Sequence, residues 1–285
     1  MLLLIPLGVD AREAPFPRAT FCLIALSVLV FLFTSRPGVA KATAEAEQLE
    51  RVAAHTVAGL SSSVRDRAAG HSSALEFLEA DGEWRSEVDS PGALERIEAC
   101  LEDYRDIKTR HPFYRFGFAP ARMSVVRLFS HQFLHADLLH LLFNMLFLWA
   151  VGAVLEGTLG AVLFVSSDLL LGAAAALVHA ATHPGSLEPA IGASGAVAGL
   201  MGIFAVLHLR EPLRLALVAG LGLAPRILFV SLPAWVFLGL WLLEQLFFAS
   251  FGSSALGVAF AAHLGGFASG VAVGTTLRMV RGRAD

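Results

Sequence analysis

Charged side chains are scarce in this chain. Lys, Arg, Asp and Glu make up 16% of its 285 residues, whereas a soluble domain carries roughly 25%. Hydrophobic residues make up 56% of the chain, so much of it must have lipid or other helices as its surroundings. This composition excludes a wholly soluble domain. The formal net charge of -3 is too small to indicate a nucleic-acid partner.

Cysteine is nearly absent as well. Cys22 and Cys100 are the only two and no Cys-x-x-Cys pair occurs, so the sequence excludes a disulfide framework and leaves the redox compartment unassigned. No basic residue precedes the apolar start Met1–Val9, and no clear small-residue cleavage site follows the stronger apolar run at 19–34. We therefore expect no cleaved signal peptide and interpret this run as a retained membrane span.

Six apolar segments approach the length that crosses a membrane. A helix needs about 20 residues, or ~17 at the short end, to cross a hydrocarbon core of ~30 Å. We therefore predict an all-α fold, a polytopic membrane protein built as a six-transmembrane-helix bundle. Its spans cover roughly residues 18–34, 138–155, 160–180, 194–209, 227–249 and 258–277.

The segment 36–114, between the first two spans, differs from the rest in composition. Its first 75 residues, 36–110, contain 15 of the 24 acidic residues, and helix-forming residues dominate. Apolar residues recur at helical spacing around Leu49–Leu60 and again around Leu94–Tyr104. We predict an extramembrane helical insertion, with a helical hairpin and a partly disordered segment as the two alternatives. Substrate binding, regulation and no function at all stay open for it.

Basic residues near short loops mark the cytoplasmic side of a membrane protein. They occur between spans four and five and after span six, at Arg210, Arg214, Arg226, Arg278, Arg281 and Arg283. The N-terminal tail 1–17 and the C-terminal tail 279–285 are therefore predicted to be cytoplasmic, with the loop 182–193 on the opposite side. A bacterial inner membrane is our preferred location, on the compact six-span form alone, and an organellar membrane is the alternative.

A serine between glycines opens the fourth predicted span, in Gly192-Ala193-Ser194-Gly195. The first N–H groups of a helix have no internal partner, and such donors suit a developing oxyanion. His263 lies at the same predicted depth in span six, and Ser with His is the minimum pair of nucleophile and base. The alternative is that Ser194 is a helix N-cap beside glycines that only pack helices.

Two polar residues share one face of the second span, because His140 and Asn144 lie four residues apart. Asp137 is the predicted N-cap of this helix, which leaves His135 just outside it. Polar side chains in a membrane helix are functional candidates, but these two could instead only bond helices together. A metal site would need a third ligand, and no acidic residue completes one.

Together these motifs resemble the rhomboid family of intramembrane serine proteases. The resemblance covers about residues 115–278, the predicted catalytic core, together with the first span. It rests on Arg127 before span two, on the His-x4-His-x3-Asn pattern of His135, His140 and Asn144, on Glu156 and Gly160 after span two, on Gly192 to Gly195, and on Ala262-His263 with Gly266 and Gly270.

The resemblance implies a Ser–His dyad without a carboxylate and without a cofactor or metal. Ser194 would attack the scissile carbonyl, His263 would act as its base, and His140, Asn144 and the Ser194 N–H would hold the oxyanion. The implied substrates are transmembrane proteins, cut within or beside their membrane segments in the lipid bilayer. Span five and the loop 250–257 resemble the family's lateral gate and cap.

Two functions of other classes remain as alternatives. A non-catalytic rhomboid-like protein that binds or escorts membrane helices is the first. A small transporter is the second, although we find neither the internal repeats nor the paired broken helices that it predicts. The sequence assigns no role to His131 or Asp168, and it leaves the oligomeric state open. Glu244 and Gln245 are expected to snorkel from the outer end of span five.

Overall fold

The computed structural model describes residues 2–9, 16–69, 71, 73–88, 90–219, 226–251 and 259–281. The chain is mostly helical. Its described helices are α1 (Arg18–Thr34), α2 (Pro37–Ala58), α3 (Ser62–Ala68), α4 (Ala74–Ala80), α5 (Pro91–Arg110), α6 (Pro112–Phe116), α7 (Val125–Ser130), α8 (Leu138–Leu159), α9 (Ala161–Thr182), α10 (Ser194–Leu207), α11 (Ala234–Phe251) and α12 (Phe260–Arg281). Its described strands are β1 (Leu2–Val9), β2 (Pro212–Ala219) and β3 (Arg226–Pro233). Most of the predicted loop 250–257, the predicted start of span six and residues 282–285 lie outside the described residues.

Three of the described helices, α8, α9 and α12, are long and apolar enough to cross a membrane. Three further apolar helices are shorter, namely α1, α10 and the Ala234–Ser250 stretch of α11. The chain is therefore an integral membrane protein with three long apolar helices, and the count of six spans stays a prediction.

Helix α10 is short because it lies in the centre of the bundle. Its 14 residues extend for about 21 Å at 1.5 Å per residue, less than the ~30 Å of a hydrocarbon core. All residues from Gly195 to Phe204 are buried, and the helices packed on them include α8, α9 and α12. Since other helices surround α10, the bilayer thickness does not set its length.

Glycines bring α10 and α12 into backbone contact, as their spacing predicts. A Cβ atom built on Gly266 would overlap the carbonyl oxygen of Gly195, and one on Gly270 would overlap that of Gly199. No other residue fits at these two positions without moving a helix. This close approach brings the N-terminal ends of the two helices together.

A three-stranded antiparallel sheet corrects the all-α prediction. Its order is β1-β2-β3, so the N-terminal strand pairs with a hairpin that joins α10 to α11. The predicted fifth span, 227–249, is therefore wrong at its start, because residues up to Pro233 belong to β3. Periodicity alone does not separate a short apolar strand from a buried helix. Here β3 pairs with β2 along its whole length, which gives its backbone N–H and C=O groups hydrogen-bond partners as a strand.

The segment between α1 and α8 is a helical unit with its own core. The two predicted amphipathic stretches lie in α2 and α5, which pack against each other and against α4. The indole N–H of Trp84, at the centre of this core, donates to the carbonyl of Leu78 at 2.9 Å. Its other fully buried large side chains are Phe77, Leu75, Leu78 and Leu101.

Glu156 joins α8 to the beginning of α1. Its carboxylate accepts from the N–H groups of Ala19 and Thr20, at 2.9 and 2.8 Å, and from the Thr20 hydroxyl at 2.9 Å. Pro17 at the N-cap position of α1 makes no side-chain cap, so the carboxylate satisfies N–H groups that would otherwise lack a partner. The structure thus explains why a glutamate occupies position 156, one of the positions on which the resemblance rests.

Candidate active site

Ser194 is the first residue of α10, and its side chain points at His263. The N-cap position belongs to Ala193, so the alternative in which Ser194 caps the helix is wrong. Its Oγ instead lies 2.8 Å from Nε2 of His263 on α12. The glycine contacts between α10 and α12 therefore place a hydroxyl and an imidazole within hydrogen-bond distance.

The other ring nitrogen of His263 is also occupied. Its Nδ1 lies 2.7 Å from Oε1 of Gln245 on α11. Gln245 is buried at 6% exposure, which corrects the expectation that it snorkels to the membrane surface. Trp241, one turn before it, and Phe260 pack their rings near the imidazole, with centroid separations of 6.4 and 6.1 Å. Side chains of α10, α11 and α12 thus hold the ring of His263.

Gly192 makes the turn that leads into α10, and only glycine fits there. Its φ of +119° is a conformation that other residues rarely adopt. A Cβ built on it would lie 2.7 Å from Nε2 of His140. The missing side chain therefore leaves room for the His140 ring directly beside the loop that carries Ser194.

His140 and Asn144 lie on α8 and line the same cavity as Ser194 and His263. The cavity has a volume of about 550 Å³ and is otherwise mostly apolar. As predicted, Asp137 caps α8 by accepting from the His140 N–H at 2.9 Å. The Asn144 amide donates to the His140 carbonyl at 2.9 Å. All four predicted site residues therefore converge on one space.

His131, which the sequence left without a role, supports the loop that carries Ser194. Its carbonyl accepts the Gly192 N–H at 2.9 Å, and its Nδ1–H donates to the Arg127 carbonyl at 2.9 Å. Arg127 in turn donates to the carbonyls of Arg122 and Arg115, at 2.7 and 3.2 Å. Burial lowers the pKa of His131 to about 4, so its ring is neutral at physiological pH. The motif arginine thus orders the chain that precedes α8.

His135 lies outside α8, as expected, and packs edge-on against His140 with centroids 5.2 Å apart. It is almost fully buried, and burial lowers its pKa to about 4. Its Nδ1–H donates to the Phe133 carbonyl at 3.3 Å. Because the His135 ring is neutral, it acts on His140 by packing against its ring, which holds the orientation of His140, and not by placing a charge beside it.

The loop before Gly192 is tied to the helical segment that precedes α7. Phe118 and Ala190 exchange two backbone hydrogen bonds, at 3.0 and 2.8 Å. The buried carboxylate of Glu76, on α4, accepts the Leu187 N–H at 2.6 Å. Ala190 lines the cavity, so the segment 36–114 contacts the chain that shapes the site. No local sequence pattern indicates this role for Glu76, because its partner is 111 residues away.

One further buried polar side chain does not join the site. Asp168 on α9 is buried inside the bundle at 6% exposure. Within the described ranges, no group of three or more His, Cys, Asp or Glu side chains is placed to hold a metal ion.

Comparison with known families agrees with the motifs. A family model described as Rhomboid domain matches residues 122–280, which is more than half of the chain. The resemblance inferred from the sequence is thereby confirmed. No curated protein is significantly similar in sequence to this chain.

Proposed function

The chain belongs to the rhomboid family, an intramembrane protease family, and from this premise we propose that it is an active serine endopeptidase. Its substrates would be membrane-anchored proteins, cut within or beside a transmembrane segment. The observation that carries the proposal is the 2.8 Å separation of Ser194 Oγ from His263 Nε2. A protein that only bound membrane helices would not need this contact.

His263 would act as general base and then as general acid. Nε2 takes the hydroxyl proton while Oγ attacks the scissile carbonyl carbon, which forms a tetrahedral intermediate. The imidazolium then returns the proton to the leaving amine nitrogen, and the C–N bond breaks to give an acyl-enzyme. Water attacks this ester by the same route, with His263 again taking a proton, and Ser194 is regenerated.

Three donors are available for the oxyanion. The Ser194 N–H stands at the first position of α10, where a helix offers no internal acceptor. His140 and Asn144 supply the other two from α8. The Ala136 N–H approaches His140 Nδ1 at 3.5 Å, which favours a proton on Nε2, the atom facing Gly192. Donors fixed in a water-poor site are worth more than in water, and removing one costs ~10²–10³ in rate.

A placement in the membrane is part of the same proposal. We propose six spans, α1 and α8 to α12, with both termini cytoplasmic in a bacterial inner membrane. The first turns of α8, α10 and α12 then lie at one depth on the outer side, and the cavity between them opens outward. The segment 36–114 would lie outside the membrane on that side, next to the loop that it contacts.

A cleavage assay in liposomes tests the proposal. Wild-type protein should cut a reporter transmembrane substrate, whereas Ser194→Ala and His263→Ala should not. Ser62→Ala and His55→Ala change exposed residues of the same types on α3 and α2 and should cleave as wild type does. Cleavage that survives both site substitutions would refute the dyad. Binding of the substrate by wild type without any cleavage would indicate the non-catalytic alternative.

A further inference from the structure

A third side chain, that of Gln245, extends the hydrogen-bonded chain formed by His263 and Ser194 at the candidate site. Gln245 Oε1, His263 and Ser194 Oγ follow one another at 2.7 and 2.8 Å, with one contact at each ring nitrogen. The dyad implied by the resemblance has no third member. Gln245 belongs to α11, whereas the other two residues belong to α12 and α10, so no single helix determines the arrangement.

The contact between Gln245 and His263 is significant because Gln245 is buried. A polar amide inside an apolar helix is unfavourable unless it is hydrogen-bonded. Gln245 is buried, while its neighbours Glu244 and Leu246 on the same helix are exposed. The oxygen of this amide is directed at the imidazole and not at a backbone group of its own helix.

The chemistry of an amide oxygen determines what the contact does. A carbonyl oxygen only accepts, so it requires the proton of a neutral imidazole to be on Nδ1. Nε2 then carries a lone pair, and the Ser194 hydroxyl can donate to it. With the opposite tautomer Nε2–H would face Oγ, and the imidazole could not accept the hydroxyl proton.

We propose that Gln245 is a positioning residue that holds His263 in the Nδ1–H tautomer and in the orientation that activates Ser194. This role rests on the proposed protease function. It matches that of the orienting residue in hydrolytic triads, which fixes the imidazole without touching the substrate. Because Gln245 is neutral, it orients the ring and adds little charge stabilisation to the imidazolium.

Kinetics of matched variants test the role. Gln245→Met keeps the length and burial of the side chain but removes the acceptor. We expect kcat to fall by about tenfold to a hundredfold, below most of the ~10²–10⁴-fold range of general acid–base effects because His263 itself remains, while KM changes by less than about twofold. Glu244→Gln, on the exposed face one residue away, should retain wild-type kcat. A wild-type kcat in Gln245→Met would overturn the proposal.

The pH profile separates positioning from packing. Groups that face the His263 ring are Ser194 from α10, Gln245 and Trp241 from α11, and His140 across the cavity from α8. Gln245→Glu restores an acceptor and adds a negative charge. It should regain activity relative to Gln245→Met, and the acidic limb of kcat/KM should move to higher pH by about one unit, because a carboxylate stabilises the imidazolium. A side chain at position 245 that did not contact the His263 ring would leave this limb unmoved relative to wild type, and that result would refute the proposal.

Nitrogen-15 NMR of histidine-labelled protein reads the tautomer without any catalysis. The His263 signals are identified by their loss in His263→Ala. Wild type should show a protonated Nδ1 and an unprotonated Nε2, and Gln245→Met should show a mixture. A protonated Nε2 in wild type would mean that the Gln245 amide is turned the other way, and the proposal would fail. If wild type cleaves nothing yet shows the Nδ1–H tautomer, the protease function fails and the positioning stands.

Discussion

Replacing Gly192 by alanine is expected to reduce catalysis as well as stability, for two separate reasons. The new methyl group would lie 2.7 Å from His140 Nε2, whereas ordinary contacts begin near 3.4 Å. The imidazole or the loop must therefore move by about 0.7 Å, and both belong to the proposed oxyanion site. Misplacement on this scale costs about 10²-fold in rate, or ~2.7 kcal/mol of transition-state stabilisation.

The positive φ adds a separate cost in stability, about 1–2 kcal/mol for a non-glycine residue. Gly185 provides the matched control, because its φ is +83° but a Cβ there would meet nothing within 4 Å. Gly185→Ala should therefore lose comparable stability and keep full activity. Thermal unfolding and liposome cleavage, measured on both variants, separate the two effects. Equal activity in the two alanine variants would refute the assignment of Gly192 to the site.

Three other perturbations follow from the structure. Glu156→Ala removes three hydrogen bonds at the start of α1 and should destabilise the protein by about 2–4 kcal/mol, measured by thermal unfolding in detergent. Glu76→Ala frees the Leu187 N–H and should speed its hydrogen exchange by about tenfold, the equivalent of ~1.4 kcal/mol, while exchange in α8 stays unchanged. Glu87 has its pKa lowered to about 2 by hydrogen bonds from the hydroxyls of Ser61 and Ser63 and from Arg67. Its stabilisation of the α3 region is therefore present above pH ~4.5 and is lost between about 4.5 and 2. Protection factors there, which correct for the slower intrinsic exchange at low pH, should therefore fall on acidification in wild type and much less in Glu87→Gln.

Local spacing in the sequence is enough to predict much of the site. Residues four apart share a helix face, so the spacing of His140 and Asn144 pairs them without any tertiary information. The glycines of α10 and α12 predict the close approach that brings Ser194 to His263, and the geometry agrees.

Local sequence patterns do not predict long-range pairings. A strand at Arg226–Pro233 exists because β2 pairs with it, and an apolar run does not reveal its partner. The rotation of α11 about its axis determines that Gln245 faces the site while its neighbour Glu244 is exposed. Packing against α10 and α12 decides that rotation. Glu76 acts on a backbone N–H that lies 111 residues away. In each case the determining contact is tertiary.

The most direct test of the central claim is to map where a fluorophosphonate reacts. These reagents modify a serine only when a base has activated it. Mass spectrometry of labelled wild-type protein should locate the adduct on Ser194, and labelling should disappear in His263→Ala. An adduct on another serine, or undiminished labelling of Ser194 without His263, would contradict the account.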